Sequence, residues 1–170
     1  MLGGVSQASA AIMDVTYTGT VNSGIDTLGV FGGGSLVGLS WVATYTFDTS
    51  LGYLNSSSSK NDVYGGSKFG TTSPVLSSMI TINGVGKAVG GSYFGEDFGY
   101  NDGSTSQQYH IAQNCSSGQC GQLDTLQNTI SNYNGSLPAS VKTVTQPPTV
   151  GSPIPGLQLN SCIRLSPNLN

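Results

Sequence analysis

Leu39-Ser40-Trp41-Val42-Ala43-Thr44-Tyr45-Thr46-Phe47-Asp48 is the stretch that decides the fold class. Leu39, Trp41, Ala43, Tyr45 and Phe47 alternate with Ser40, Val42, Thr44, Thr46 and Asp48. Successive side chains of a strand point to opposite faces, so this order makes one aromatic face and one mostly polar face. On a helix the same spacing would scatter the rings around the axis. Burying Trp41, Tyr45 and Phe47 on one side requires a second layer above them, and each ring then contributes about 2–3 kcal/mol. The expectation is a strand over 36–48 within a two-layer β structure.

The pattern extends in both directions. Over 12–21, Val15, Tyr17, Gly19 and Val21 share one face, with Asp14, Thr16, Thr18 and Thr20 on the other. Asn22 to Ser35, with its Gly32-Gly33-Gly34 run, reads as a loop, and Asn55-Ser-Ser-Ser-Ser-Lys60 as a mobile one. Pro74 opens a strand over 75–83 that ends at Asn83-Gly84, a type I′ hairpin signal. The return strand, over 85–94, is bent at Gly90-Gly91. Gly95 to Ser104 reads as a polar loop. A short strand over 107–113 puts Tyr109 and Ile111 on one face and His110 on the other, polar, face. Residues 121–133 fit helix spacing at Leu123, Leu126 and Ile130 yet carry β-favouring Thr125 and Thr129, so strand and short helix both stay open. Prolines from Pro138 to Pro155 then interrupt the chain, and 157–165 reads as a last edge strand. The fold class expected is all-β, a single antiparallel β-sandwich or jelly-roll-like domain over 11–145. A leader-like tail over 1–10 precedes it and a Pro-rich segment over 146–170 follows.

Composition removes several functions. Charged residues make up 8% of the 170-residue chain and the net charge is −3, with five basic residues scattered singly. No basic stripe exists to neutralise phosphates, which argues against nucleic-acid binding. No apolar run reaches the ~18 residues of a membrane-spanning helix. Ala8-Ser9-Ala10 before Ala11 resembles the small-residue end of a secretory signal cleaved after Ala10. Cys115 and Cys120 enclose Ser-Ser-Gly-Gln, a spacing that suits a local disulfide in an oxidising compartment; Cys162 could instead pair with either.

Several phrases recur together in one bacterial family. They are Tyr17-Thr-Gly-Thr-Val-Asn-Ser-Gly24, Gly29-Val-Phe-Gly32, Ser35-Leu-Val-Gly-Leu39, Tyr45-Thr-Phe-Asp-Thr-Ser50, Ile80-Thr-Ile-Asn-Gly84 and Leu137-Pro-Ala-Ser-Val141. In this order, over residues 12 to 141, the chain resembles the ectodomains of secreted proteins of Gram-negative bacteria sorted by a PEP-CTERM tail. The resemblance implies an exported or cell-surface protein linked to exopolysaccharide and biofilm matrix. The Pro-Glu-Pro tail itself does not occur in Leu165-Ser-Pro-Asn-Leu-Asn170.

Candidate chemistry is sparse. His110 is the one histidine, and no Gly-x-Ser-x-Gly elbow accompanies it. Glu96, Asp97 and Asp102 are the densest carboxylates. With Asn101 they form a candidate calcium set, although calcium takes six to eight oxygens and four are in view. Glu96 with Asp97 is also a candidate acid pair for glycoside hydrolysis, except that neighbours in an extended chain point apart. Tyr93, Tyr100 and Tyr109, with Phe94 and Phe98, could stack on sugar rings if exposed in a row. The function expected is a non-enzymatic, matrix-associated structural or adhesive protein. Its partners would be extracellular polysaccharide or a second copy joined through an edge strand. The alternatives are a carbohydrate-binding module using the tyrosines and a glycoside hydrolase.

Overall fold

A face carrying Trp41, Tyr45 and Phe47 needs a cover, and the architecture is built around supplying one. The computed structural model describes residues 12–115, 123–132 and 157–164, the last of these by backbone alone. The described residues form strands with a single 3-10 turn, Ser67–Phe69. A four-stranded antiparallel sheet has the order β1 (Ile12–Thr20), β4 (Ser40–Asp48), β7 (Val75–Ile82), β8 (Val85–Ala88). A six-stranded antiparallel sheet has the order β12 (Leu157–Arg164), β11 (Leu123–Asn132), β10 (Ser106–Cys115), β9 (Phe94–Asn101), β6 (Lys60–Gly65), β5 (Tyr53–Ser56). Two residue pairs, β2 (Ile25–Asp26) and β3 (Gly34–Ser35), make a small ribbon in the long connection between β1 and β4. The two large sheets pack face to face as one β-sandwich. No helix among the described residues is long and apolar enough to cross a membrane.

The central strand behaves as its alternation requires. Trp41, Ala43, Tyr45 and Phe47 are buried, whereas Ser40, Val42 and Thr44 are exposed. Val15 and Tyr17 from β1 and Ile80 and Ile82 from β7 join them, and Ala112 and Leu126 of the six-stranded sheet close the core from the other side. Trp41 lies across Gly19 of the neighbouring strand: a Cβ there would stand 2.9 Å from the indole ring. Asn83 at φ 50° and Gly84 at φ 81° turn β7 into β8 with the left-handed pair that a type I′ hairpin requires.

Four expectations need correction. The segment over 55–60 is not a mobile loop: Asn55 and Ser56 end β5 and Lys60 begins β6, leaving three serines as the turn. Polar residues suit this hairpin because β5 is a sheet edge with all four residues exposed. The polar loop over 95–104 is mostly strand β9, whose small residues Gly95 and Gly99 lie on the side facing the other sheet. The return strand over 85–94 stops at Ala88, and the chain crosses to the second sheet before Phe94. The sandwich does not end at 145, since β12 pairs with β11 from Asn132↔Leu157 to Thr125↔Arg164. Residues 123–132 are strand, which resolves that open choice. The leader-like residues 1–10 and most of the Pro-rich segment lie outside the described residues.

Candidate functional site

The six-stranded sheet presents two unlike faces, and β9 shows how one strand serves both. Glu96 stands opposite Tyr64 on β6 and Ile111 on β10, so these three point to the outer face. Asp97 stands opposite Val63 and His110, and these point inward. Glu96 and Asp97 therefore cannot act as an acid pair.

On the inner face, His110 is 3% exposed and packs against the rings of Tyr17, Tyr45 and Phe47. The expectation of a histidine on a polar face is corrected: His110 does point away from Tyr109, and the face opposite Tyr109 is the core. Tyr17 donates its hydroxyl to His110 Nδ1, and Nε2 lies 3.0 Å from Asp97 Oδ1. One tautomer satisfies all three groups, with Nε2 carrying the proton towards Asp97. Burial, with the Asp97 charge, pushes the Tyr17 phenol far above its ordinary range, so it remains a donor. Beside it, Tyr45 donates to Asn128 Oδ1 at 2.7 Å. Tyr17 and His110 lie within the core, where no substrate can reach them.

On the outer face, an open groove of about 310 Å³ is lined by Asn55, Asp62, Tyr64, Phe69, Phe94 and Glu96. Its rings form a continuous row. Tyr64 meets Phe69 edge-on with centroids 5.1 Å apart, and Phe69 meets Phe94 at 5.7 Å. A second ring pair, Phe98 stacked on Tyr109 at 4.6 Å, continues the face past Glu96. The 3-10 turn places Phe69 there, with the Lys68 ammonium 4.9 Å from the Phe94 centroid.

Two carboxyls sit among these rings. Asp62 is 6% exposed, and its Oδ2 takes a 3.1 Å ion pair from Lys60. Its Oδ1 has no donor among the described residues while both acids are ionised. Glu96 accepts the Tyr109 hydroxyl on Oε1. Burial is the main cause that pushes the Glu96 carboxyl up to about 7, and the adjacent Asp62 adds to it; the Tyr109 hydrogen bond and Lys60 act the other way. A neutral Glu96 can donate to Asp62, so one proton is shared between the two carboxyls.

The residues expected to form sites are dispersed. Tyr100 and Tyr109 do lie on the outer face, Tyr100 donating to Asp102 Oδ2 at 2.9 Å. Tyr93 lies in the connection before β9, half-buried, and does not line the groove. The four calcium candidates do not converge. Glu96 faces outward and Asp97 inward, while Asp102 Oδ1 accepts from the Ser104 and Thr105 amides and from the Ser104 hydroxyl. Asn101 Oδ1 takes the Gly103 amide. These bonds hold the Asp102 carboxyl well below the usual range and make the loop a self-contained turn. Cys115 ends β10 and is an engaged group; Cys120 and the side chain of Cys162 lie outside the described residues.

Sequence reasoning missed Asp62, Tyr64 and Phe69. The signal was present in Lys60, Asp62 and Tyr64 alternating with Asn61 and Val63, and in Phe94, Glu96, Phe98 and Tyr100 alternating with Gly95, Asp97 and Gly99. No family model, no curated protein and no solved structure matches this chain.

Proposed function

We propose that this chain is a non-enzymatic glycan-binding domain of an exported protein, taking its ligand on the outer face of the six-stranded sheet. The observation that carries the reading is the groove in which Tyr64, Phe69 and Phe94 stand beside Asp62, Glu96 and Asn55. Pyranose rings have apolar C–H faces that stack on aromatic side chains and hydroxyls that bond carboxylates and amides, and this groove offers both. Hydrolysis is disfavoured because Asp62 and Glu96 are within hydrogen-bond reach of each other. Glycosidases hold their carboxyls about 5–9.5 Å apart to admit the sugar and the water.

Binding to immobilised polysaccharides tests the reading. Wild type is retained by at least one polymer of a panel of neutral, acidic and amino glycans. Phe94→Ala or Tyr64→Ala weakens that binding about tenfold, the loss of roughly 1.4 kcal/mol that a stacked ring supplies. Failure to bind any polymer of the panel would overturn it.

The export reading expects a disulfide at Cys115, and the strand register narrows its partner. Cys115 stands opposite Leu123, and Cys162 stands opposite Gln127 on the far side of β11. Two strand spacings and four residues separate them, roughly 16 Å, well beyond the reach of about 7 Å that a disulfide allows. Cys115 thus pairs with Cys120 in this reading, and peptide mapping without reductant should recover that linkage. A second reading, self-association, rests on β5, an exposed edge carrying Tyr53 and Leu54, the latter 65% exposed. A monomer at all concentrations in sedimentation would exclude it.

A further inference from the structure

We infer that Asn83, in the hairpin joining β7 to β8, is a site of self-modification, where the Gly84 backbone nitrogen attacks the Asn83 carboxamide to give a cyclic imide and then an iso-aspartyl linkage. Three features of the turn carry this. Both residues are exposed, and a Cβ added at Gly84 would meet nothing within 4 Å, so the attacking nitrogen is unshielded. The Gly84 amide and the Asn83 carboxamide have no hydrogen-bond partners among the described residues, so neither group must first be released. The third feature is conformational. Asn83 at φ 50° and Gly84 at φ 81° form a type I′ turn. Closing the ring brings Gly84 N into the plane of Asn83 Cα, Cβ and Cγ, which leaves φ in place and turns ψ to about −120°, the first central position of a type II′ turn. The second central position of that turn has φ about −80°, which glycine adopts as readily as a positive value. One peptide flip therefore suffices. Types I′ and II′ are both two-residue hairpin turns that match the strand twist, so the Ile82↔Val85 pair and the ladder behind it stay closed. The Asp102-Gly103 turn shows the opposite case: Asp102 Oδ1 is held by the Ser104 and Thr105 amides, and the Gly103 amide by Asn101 Oδ1.

The chemistry needs no co-reactant but water. The bond from Gly84 N to Asn83 Cγ forms, the bond from Cγ to the side-chain nitrogen breaks, and the Gly84 amide proton leaves with that nitrogen as ammonia. Water then opens the imide. Attack at the original backbone carbonyl carries the chain through the side-chain carbon, which adds one methylene to the backbone and one negative charge to the hairpin tip. The full chain and a free peptide spanning Thr81 to Lys87 are incubated together at pH 8, and Asn83 conversion is followed by peptide mapping and by labelling with an isoaspartyl methyltransferase. The folded chain should convert at a rate within tenfold of the peptide's. At pH 5, where the imide opens slowly, a form lighter by one ammonia should accumulate, and its nuclear Overhauser contacts across Ile82–Val85 and Thr81–Gly86 should match those of the unmodified chain. A folded-chain rate more than tenfold below the peptide's would overturn the inference, because the turn would then be protecting Asn83. So would a cyclic form that has lost the Ile82–Val85 contact, since the reaction would then have required the hairpin to open.

Discussion

Glu96 and Asp97 are neighbours in the chain with opposite fates. Asp97 points into the sandwich, where it meets His110 and, through it, Tyr17. Glu96 points out, beside an acid whose oxygen lacks a donor and beside rings that line an open groove. The same two kinds of group, carboxyl and aromatic, are used on both faces. What differs is completeness. Inside, Tyr17, His110 and Asp97 bond one another and Tyr45 bonds Asn128, so this arrangement specifies packing, with Ser106 Oγ the buried inner-face atom left without a partner among the described residues. Outside, a polar demand is left for a proton or a ligand to meet. Residue type alone therefore does not separate core-facing from groove-facing acids in this protein; strand parity does.

The largest effect expected tests the closed face. His110→Ala removes the ring that packs between Tyr17, Tyr45 and Phe47 and leaves Asp97 and the Tyr17 hydroxyl without their partner. Cavity and desolvation together should lower stability by about 3–5 kcal/mol in urea unfolding. The folded fraction should keep whatever glycan affinity the wild type shows. A loss below about 1 kcal/mol, or a loss of affinity, would erase the distinction between the faces.

The open face responds to pH instead. Glu96 has an ordinary carboxyl value of 4.5 when unfolded and about 7 when folded. Between those values the folded protein keeps a proton that the unfolded chain has released, so stability falls as pH rises through the interval and levels off above it. Glu96→Gln cannot ionise and escapes that loss. At pH 8 it should be more stable than wild type by about 1–2 kcal/mol, a figure discounted for the solvent that screens a half-exposed group. At pH 4 the two should agree. Thermal melts across pH 4 to 8 check this, and parallel curves for the two proteins would contradict a raised Glu96.

Legibility from sequence follows the same division. Trp41, Tyr45 and Phe47 declared the sandwich because their partners across the strand are small or polar, and Asn83-Gly84 declared its hairpin by backbone conformation. Both signals are local. β9 and β6 were harder to read because their inner positions hold Gly95, Gly99 and Gly65 where large apolar residues would mark a strand. The groove was out of reach for a different reason. Asp62 and Glu96 are 34 positions apart in sequence, and only the β6–β9 register brings them to one face. The Tyr17–His110–Asp97 chain joins two sheets, and no pattern within one strand announces it.

The smallest effect separates the forces on Glu96. The Tyr109 hydroxyl donates to Glu96 Oε1 and favours the ionised carboxylate, opposing burial and Asp62. Tyr109→Phe keeps the ring stacked on Phe98 and removes only the donor. Stability at low pH, where Glu96 is neutral, should change by less than about 1 kcal/mol. The Glu96 titration, followed by the carboxyl carbon resonance, should move above about 7. Movement in the other direction would mean that the phenol bonds the neutral acid better than the carboxylate. The proton shared with Asp62 would then have a second holder in Tyr109, and the outer face would be as closed as the inner one.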